Sequence, residues 1–329
     1  MILAIETSCD DTCAAVVEPE GRRALSNVVH TQTEHARYGG VVPEVASRAH
    51  LERLDGVVAR SLSDADVSLD AVDRVAVTTR PGLIGALLVG VAAAKGLAYA
   101  RGLPLVPVNH LEGHVAAAYL TDPALEPPFV ALIASGGHTA LYSVEQDRKM
   151  HLLGETLDDA AGEALDKGAR MLGLGFPGGP EISRAAQDGD RDRHDFPVGL
   201  KNKDNLDFSF SGLKTSLLYK LKAMDRGRLP EELPHLAAGY EAAVIKALSR
   251  KLLRAVDLQD APTAVVAGGV AANSLLRRTL EDQCTKTGTS LVVPPPDLCT
   301  DNAAMIGAAA ANTPAVPYPE YLSLNARSV

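Results

Sequence analysis

Residues 2–17, ILAIETSCDDTCAAVV, have the pattern that decides the fold of this chain. An apolar run, a turn of small polar residues and a second apolar run predict a β-hairpin. Residues 129–144, FVALIASGGHTALYSV, repeat the same order of parts. Turns of this kind offer backbone N–H groups and hydroxyls to phosphate oxygens. Two such hairpins in one chain therefore predict two similar α/β domains whose turns face each other across a bound nucleotide.

A third segment, residues 263–277, has the sequence TAVVAGGVAANSLLR. It predicts a buried strand that ends in Gly268-Gly269 and leads into a helix. Glycines at such a junction let the backbone approach a ligand closely. One glycine pair is weak support, because most glycine pairs serve tight turns. The three loops together favour a nucleotide-binding protein.

The composition is that of a globular protein, with 46% hydrophobic and 22% charged residues in a chain of 329. The most apolar window, Leu83 to Ala94, is shorter than the roughly 20 residues that span a bilayer. The N-terminus has no basic region typical of a signal peptide. The four cysteines form no CxxC pair, so we expect reduced thiols. These features predict a cytoplasmic protein without a membrane segment.

The formal net charge of −9 argues against binding of nucleic acid by bulk electrostatics. A local exception lies between Leu200 and Lys222. This stretch contains five lysines and only two aspartates, together with Phe208 and Phe210. A solvated protein face explains this stretch equally well.

The domain boundary is predicted at residues 122–128, DPALEPP, where prolines and polar residues precede the second hairpin. Residues 1–121 and 301–329 are expected to form the first domain, and residues 122–300 the second. The segment RPGLIGALLVG at residues 80–90 leads into an apolar helix of small residues that should run to about Ala100. We expect this helix to be buried rather than shared with a partner chain. A C-terminal helix, from about Asp301 to Ala311, returns to the first domain.

Two histidines four residues apart, His110 and His114, directly follow an apolar run at residues 104–108. On a helix, positions i and i+4 lie on one face, so both imidazoles can reach one metal ion. A strand-to-helix junction is also where α/β proteins place ligands. Asp301 supplies a carboxylate for the same ion. An isolated pair of histidines at this spacing is more often unrelated to metals, and the interpretation depends on this context.

The metalloprotease signature HExxH is not matched, because Leu111 follows the first histidine. Glu112 is expected to point away from the histidine face. A zinc protease is therefore a weak interpretation of this pair.

The chain resembles, almost end to end, the bacterial tRNA adenosine threonylcarbamoyltransferases (TsaD), a family earlier described as glycoproteases or O-sialoglycoprotein endopeptidases. The resemblance rests on a series of motifs in a fixed order. They are IETSCDDT at 5–12, YGGVVPE at 38–44, HLEGH at 110–114, SGGHT at 135–139, DDAAGEALDK at 158–167, FPGGP at 176–180, FSFSGLKT at 208–215, GGVAAN at 268–273 and CTDN at 299–302.

The resemblance implies a two-domain actin-like ATPase fold, each domain being a mixed five-stranded sheet with flanking helices and the ligand lying in the cleft between them. It also implies that His110, His114 and Asp301 hold one divalent metal ion, Fe²⁺ or sometimes Zn²⁺. Two imidazoles and a carboxylate suit either ion.

By the same resemblance, the chain moves the threonylcarbamoyl group of threonylcarbamoyl-adenylate to tRNA. The acceptor is the exocyclic amine of the adenosine 3′ of the anticodon in tRNAs that read codons beginning with A, and AMP is released. Because AMP is a good leaving group, the site must mainly position the reactants, stabilise the oxyanion and accept a proton.

Individual roles also follow from the resemblance. Ile133, Ala134, Ser135, Gly136 and Gly137 line the acyl-phosphate region, Asp166 and Gly179 bind the ribose or base, and Asn273 contacts the nucleotide. Asp10 and Asp11, in the turn of the first hairpin, are placed to meet the phosphate through metal or water or to act as the base, and of the two we favour Asp10. Two ordinary explanations compete: Asp166 is spaced to pair with Arg170 at i+4, and aspartate is a common turn residue, which would explain Asp10.

The resemblance implies two protein partners, a smaller paralogous actin-like subunit that pairs through the first domain and a P-loop ATPase. The chain has no GxxxxGK[ST] sequence, so it does not supply that ATPase itself. Its acidic charge fits a catalyst that needs a partner to hold tRNA.

Three rival functions are weaker. A sugar or acetate kinase of the same superfold would hold Mg²⁺ on carboxylates and water rather than on imidazoles. A regulatory nucleotide-binding subunit would not need the two histidines and Asp301. A metallopeptidase, which the older family description suggests, ranks last.

Overall fold

The structure is a computed structural model that describes residues 1–200 and 205–328. The chain divides into two compact units. Unit 1 contains Met1–Leu125 together with Asp297–Val329, and unit 2 contains Glu126–Pro296. Each unit is built around one β-sheet, which we describe separately.

The elements are numbered in chain order. The strands are β1 (Ile2–Glu6), β2 (Asp11–Val17), β3 (Ala24–Thr31), β4 (Arg74–Arg80), β5 (Leu105–Asn109), β6 (Phe129–Ala134), β7 (Thr139–Val144), β8 (Met150–Glu155), β9 (Thr263–Ala267) and β10 (Ser290–Val292). The α-helices are α1 (Pro43–Asp64), α2 (Ile84–Arg101), α3 (His110–Thr121), α4 (Ala161–Met171), α5 (Gly178–Ala185), α6 (Ser211–Ala223), α7 (Leu229–Gln259), α8 (Ser274–Thr287), α9 (Pro296–Cys299) and α10 (Ala303–Ala310).

The sheet of unit 1 has the strand order β3-β2-β1-β4-β5. Strands β1 and β2 form the predicted antiparallel hairpin, with Ile2 opposite Val17, while β4 runs parallel to β1. Every residue of β1 is buried, as expected for a central strand that is covered on both faces. The mixed five-stranded sheet predicted for this part of the chain is confirmed.

The sheet of unit 2 has the order β10-β9-β6-β7-β8 and repeats this plan. Strands β6 and β7 form the second predicted hairpin, and β9 runs parallel to β6. The predicted helix after Gly268-Gly269 begins later than its glycines suggest. A 3₁₀ turn at Gly269–Ala272 intervenes, and α8 starts at Ser274.

The predicted apolar helix is α2, and its burial is only partial. Ala86, Leu87, Gly90, Val91, Ala94 and Ala98 are buried, but Ile84 and Leu88 on the opposite face are about half exposed. The expectation that the helix is buried was therefore wrong for this second face, because the rest of unit 1 covers only one face of α2. By length and composition α2 could cross a membrane, a test that core helices also pass, and a third of it is buried in the fold.

Helix α10 lies on the first sheet and packs against β1, β2 and α3. Asn302 caps it by accepting a hydrogen bond from the Met305 N–H at 2.9 Å. Close packing depends on Gly307, where a Cβ would collide with Cγ2 of Val17.

Candidate metal centre and nucleotide site

Helix α3 begins directly after β5, and its first residue is His110. Asn109 caps the helix by accepting a hydrogen bond from the Leu111 N–H at 2.8 Å. His114 lies one turn further on the same face, with the two ring centroids 4.6 Å apart. Both imidazoles are buried, at 7% and 1% exposed.

Asp301 reaches the histidines because α10, which follows it, packs against α3. Gly113 makes room at this contact, since a Cβ there would lie 2.7 Å from Cδ1 of Ile306. Oδ1 of Asp301 lies 3.4 Å from Nε2 of His110 and 3.3 Å from Nε2 of His114. The structure thus brings together the three side chains named from the sequence.

These three side chains fit a divalent metal ion. Their ligand atoms lie within 4.8 Å of one another. Donor atoms held about 2.1 Å from a tetrahedral ion are about 3.4 Å apart, which matches both contacts of Asp301. Neither ring nitrogen of His114 has a hydrogen-bond partner among the described residues, although both are buried. A metal ion would satisfy the nitrogen that faces Asp301.

A second carboxylate, that of Glu6 at the end of β1, contacts Nδ1 of His110, whereas Asp301 lies on the Nε2 side of the same ring. Oε2 of Glu6 lies 3.1 Å from Nδ1 of His110 and accepts a hydrogen bond from the Thr78 hydroxyl at 2.5 Å. The Ser8 hydroxyl also lies 3.1 Å from Nδ1 of His110. Such contacts fix the orientation of a metal-ligating imidazole. Glu6 was not predicted as a site residue, although a charged residue at the end of a wholly apolar strand is an available signal.

The electrostatics of this cluster favour a positive charge. Burial opposes ionisation of Glu6 and Asp301, but His110 outweighs burial and holds the pKa of both carboxyl groups below their usual values. Conversely, burial alone would lower the pKa of His110, and the two carboxylates raise it well above its usual value. A proton on His110 would offset one of the two negative charges, and a bound divalent cation would offset both.

The turn between β1 and β2 contains the predicted catalytic residue Asp10. Asp10 is half buried, and its carbonyl oxygen accepts a hydrogen bond from the Gln32 N–H at 3.2 Å. Its neighbour Asp11 has a buried Oδ1 without a hydrogen-bond partner in the described chain. Burial and the nearby acids raise the pKa of Asp11 to about 7. Asp11, the second aspartate predicted to meet the phosphate or to act as the base, therefore has a pKa that suits a base.

In unit 2, the predicted acyl-phosphate segment begins in β6 with Ile133 and Ala134, which are buried, and continues into the turn at 135–137. The Ser135 carbonyl accepts a hydrogen bond from the Gly162 N–H at 3.1 Å. Gly268, with a φ of +89°, packs so closely that a Cβ would lie 2.5 Å from the Ala134 carbonyl oxygen. The glycine loops after β6 and β9 therefore lie side by side.

Asp166 of α4 binds the start of α5. Its Oδ1 accepts a hydrogen bond from the Gly178 N–H at 2.7 Å, and Gly179 follows in the first turn of the same helix. Burial raises the pKa of Asp166, while this N–H and the charge of Arg170 oppose the rise. Asp166 and Gly179 thus lie near each other.

Asn273 caps α8 by accepting a hydrogen bond from the Leu276 N–H at 2.9 Å. Its amide nitrogen donates to Ser183 Oγ at 3.1 Å and to Glu241 Oε1 at 2.6 Å. Both partners were missed from the sequence, although Glu241 is the one acid in the small-residue run AAGYEAAV at 237–244. Ser183 and Glu241 line a cavity of about 480 Å³. Its other lining residues are Pro180, Arg184, Ala186, Gln187, Gly189, Arg191, Ala238, Ser274, Leu275 and Arg278.

The basic stretch between Leu200 and Lys222 is only partly described, because Lys201, Lys203 and Asp204 lie outside the described residues. Phe208 and Phe210 are buried at 2% and 1% exposed, so they belong to the core and offer no surface aromatic to a nucleic acid. Lys214 forms an ion pair with Asp159 at 3.1 Å.

Comparison with solved structures shows the class of fold. The chain superposes on T. kodakarensis HypF with a TM-score of 0.64 at 13% identity, covering 94% of this chain and 47% of that one. It superposes on component A of the Acidaminococcus fermentans (R)-2-hydroxyglutaryl-CoA dehydratase with a TM-score of 0.56 at 15% identity, covering 98% and 99% of the two chains. The protein is therefore an α/β protein of the actin-like ATPase fold, as predicted.

Comparison of sequences shows the family. The family model for tRNA N6-adenosine threonylcarbamoyltransferase (TsaD) matches residues 23–308. A relative of that description from Syntrophus aciditrophicus is 49% identical over 329 residues, which are 100% of this chain and 96% of the relative. One from Thermosipho africanus is 47% identical over 310 residues, 94% and 93% of the two chains. The chain belongs to the TsaD family, and the resemblance noted from its motifs is confirmed.

Proposed function

We propose that the chain transfers the threonylcarbamoyl group from threonylcarbamoyl-adenylate to the exocyclic amine of the adenosine 3′ of the anticodon, in tRNAs that read codons beginning with A. The observation that carries this proposal is the sequence identity of 49%, over the full chain, with a tRNA N6-adenosine threonylcarbamoyltransferase. The clustering of His110, His114 and Asp301 supports it, because a kinase of the same fold would not need two imidazoles.

In the proposed reaction, the amine nitrogen attacks the carbamoyl carbon, the bond from that carbon to the phosphate oxygen breaks, and AMP leaves. The nitrogen loses one proton to a base. Asp10 remains our proposed base because of its position in the turn before β2, and Asp11 is a second candidate because its pKa of about 7 suits proton transfer near neutral pH.

His110, His114 and Asp301 would hold one divalent ion, Fe²⁺ or Zn²⁺. Bound there, the ion would act as a Lewis acid toward carbamoyl or carboxylate oxygens. Glu6 and Ser8 orient His110 for this task. In unit 2, residues 133–137 line the acyl-phosphate region, Asp166 and Gly179 bind the ribose or base, and Asn273 belongs to the nucleotide site.

The proposed partners are tRNA, a smaller paralogous actin-like subunit and a P-loop ATPase, and the proposed location is the cytoplasm. The exposed apolar side chains of Ile84 and Leu88 on α2 support pairing of the small subunit through unit 1.

Mass spectrometry of nucleosides tests the reaction. Unmodified tRNA is incubated with threonylcarbamoyl-adenylate and the protein, with and without the two partner proteins, beside a His110→Ala/His114→Ala double variant. We expect threonylcarbamoyladenosine with the wild type and none with the variant. Failure of the folded wild type to form product under every partner and metal condition would refute the transferase function.

A further inference from the structure

Four buried polar side chains of unit 1 connect the turn between β1 and β2 to helix α1. All are at most 3% exposed: Thr12, Gln32, His35 and His50. His50 lies on α1, and its Nε2 is 3.0 Å from the carbonyl oxygen of Cys9 in the turn. Its Nδ1 is 2.8 Å from the hydroxyl of Thr12 in β2. This polar group therefore adjoins the turn that carries the two candidate bases.

The contacts of His50 fix where its ring proton lies. The Cys9 carbonyl can only accept a hydrogen bond, so Nε2 of His50 carries a proton and donates it. Burial lowers the pKa of His50, which keeps the imidazole neutral. Nδ1 is then an acceptor, and the Thr12 hydroxyl donates to it.

The same reasoning extends to Gln32 and His35. The side-chain amide of Gln32 donates to the Ala46 carbonyl at 3.3 Å. Oε1 of Gln32 therefore faces His35 and accepts a hydrogen bond from its Nε2 at 2.9 Å. Nδ1 of His35 in turn accepts the Val42 N–H at 3.3 Å. Both histidines are thus protonated on Nε2, and each contact in the group pairs a donor with an acceptor.

Two carbonyl groups of the turn are held on the same side. The Cys9 carbonyl accepts from His50, and the Asp10 carbonyl accepts from the backbone N–H of Gln32 at 3.2 Å. In a trans peptide, the C=O and the N–H that follows it point in opposite directions. The N–H groups of Asp10 and Asp11 therefore point away from His50 and Gln32, and the backbone that carries both candidate bases is fixed from the α1 side.

We propose that His50 is a positioning residue for the transfer reaction. By donating its Nε2 proton to the Cys9 carbonyl, it prevents the peptide between Cys9 and Asp10 from turning over. It thereby keeps the carboxyl groups of Asp10 and Asp11 in the geometry that accepts a proton from the attacking amine. The inference rests on the proposed function, in which one of these acids is the base. Because His50 is completely buried, it acts through the turn and not on the substrate.

The test compares two variants whose new side chains differ by one methylene group. His50→Gln places an amide N–H near the position of Nε2 and can still donate to the Cys9 carbonyl, whereas the shorter side chain of His50→Asn cannot reach it. In the nucleoside assay with both partner proteins, kcat per folded protein should stay within about threefold of the wild type in His50→Gln. It should fall about tenfold in His50→Asn, the effect of one buried hydrogen bond.

Ser61→Ala is the matched control. Ser61 is also completely buried on α1, but its hydroxyl contacts Ser26 of β3 at 2.8 Å and not the turn. This variant should leave kcat unchanged.

A pH profile of kcat separates positioning from a loss of active protein. Loss of active protein lowers kcat by one factor across the profile. In His50→Asn, the released turn admits water to Asp11, whose pKa burial raises to about 7. Because water lowers the pKa of a carboxyl group that burial had raised, the acid limb of the profile should move to lower pH by about half a pH unit or more.

Two results obtained with an active wild type would overturn the inference. One is a kcat in His50→Asn that is no lower than in His50→Gln. The other is a nitrogen NMR spectrum of histidine-labelled wild type that places the His50 ring proton on Nδ1. A folded wild type that forms no threonylcarbamoyladenosine would instead refute the proposed function, and the inference with it.

Discussion

Nδ1 of His110 lies 3.1 Å from Oε2 of Glu6, a carboxylate that is completely buried at the end of β1. With a metal ion bound, this contact would keep the Nδ1 proton on the Glu6 side and leave the Nε2 lone pair, on the Asp301 side, for the ion. Glu6 itself is held by the Thr78 hydroxyl and the Ser8 N–H. The imidazole of His110 is thus oriented by a side chain at the end of strand β1.

Replacement of Glu6 by Gln should weaken metal binding by about tenfold, the lower end of the effect of losing an orienting partner. The amide still accepts a hydrogen bond but carries no charge to stabilise the imidazole. Competition with a chromogenic chelator would measure the affinity. Glu18→Gln, in a half-buried position after β2, is the control. An unchanged affinity in Glu6→Gln would show that the contact does not tune the site.

Metal addition should stabilise the protein. At a concentration one hundred times Kd, a bound ion adds about 2.7 kcal/mol to the free energy of unfolding, measured as a rise in Tm that a chelator reverses. Asp301→Asn should lose most of this rise, because the charged ligand is gone. Asp297→Asn, an exposed change on α9, should keep it. An equal rise in Tm in both variants would locate the ion elsewhere.

The stability of the metal-free protein should depend on pH through Asp11. Its pKa is about 7 in the fold against an ordinary value of 3.8, so the folded state binds more protons than the unfolded state in this interval. Ionisation of Asp11 therefore destabilises the folded state progressively as pH rises from about 4 to 7, and the full destabilisation is present above pH 7. Asp11→Asn should gain roughly 2–4 kcal/mol over the wild type at pH 8 and almost nothing near pH 4.

Urea unfolding at several pH values measures this difference. Asp55→Asn, an exposed change on α1, provides the comparison. If Asp11→Asn and Asp55→Asn followed the same pH profile, the assignment of a raised pKa to Asp11 would be wrong.

Close packing of α10 on the first sheet makes Gly307 intolerant of a side chain. Gly307→Ala should lower the free energy of unfolding by about 1–3 kcal/mol, because the new Cβ meets the rigid strand β2 at Val17. It should also weaken metal binding, since α10 positions Asp301. Gly96→Ala, in α2, has open space around its Cβ and should instead stabilise by about 0.5–1 kcal/mol. Denaturant unfolding should show a lower free energy of unfolding for Gly307→Ala and a higher one for Gly96→Ala.

The parts of the fold that the sequence predicted are those with a local signal. The two hairpins and the strand of residues 263–267 have continuous apolar runs bounded by small residues, and a run of this kind specifies a buried strand whatever lies around it. Exposure of Ile84 and Leu88 on α2 was not predictable, because an apolar helix does not show how many of its faces the rest of the fold will cover.

The amino-acid sequence by itself determined the family and the two sheets, and it placed His110 and His114 on one face of a helix, since a spacing of four residues does so in any α-helix. Only the tertiary structure decided what surrounds them. Parallel pairing of β1 with β4 brings Thr78 to Glu6, and packing of α10 on α3 brings Asp301 to the histidines. Likewise, the meeting of α5, α7 and α8 joins Ser183, Glu241 and Asn273. These contacts join residues far apart in the chain, and no local pattern encodes the direction from which a distant side chain arrives.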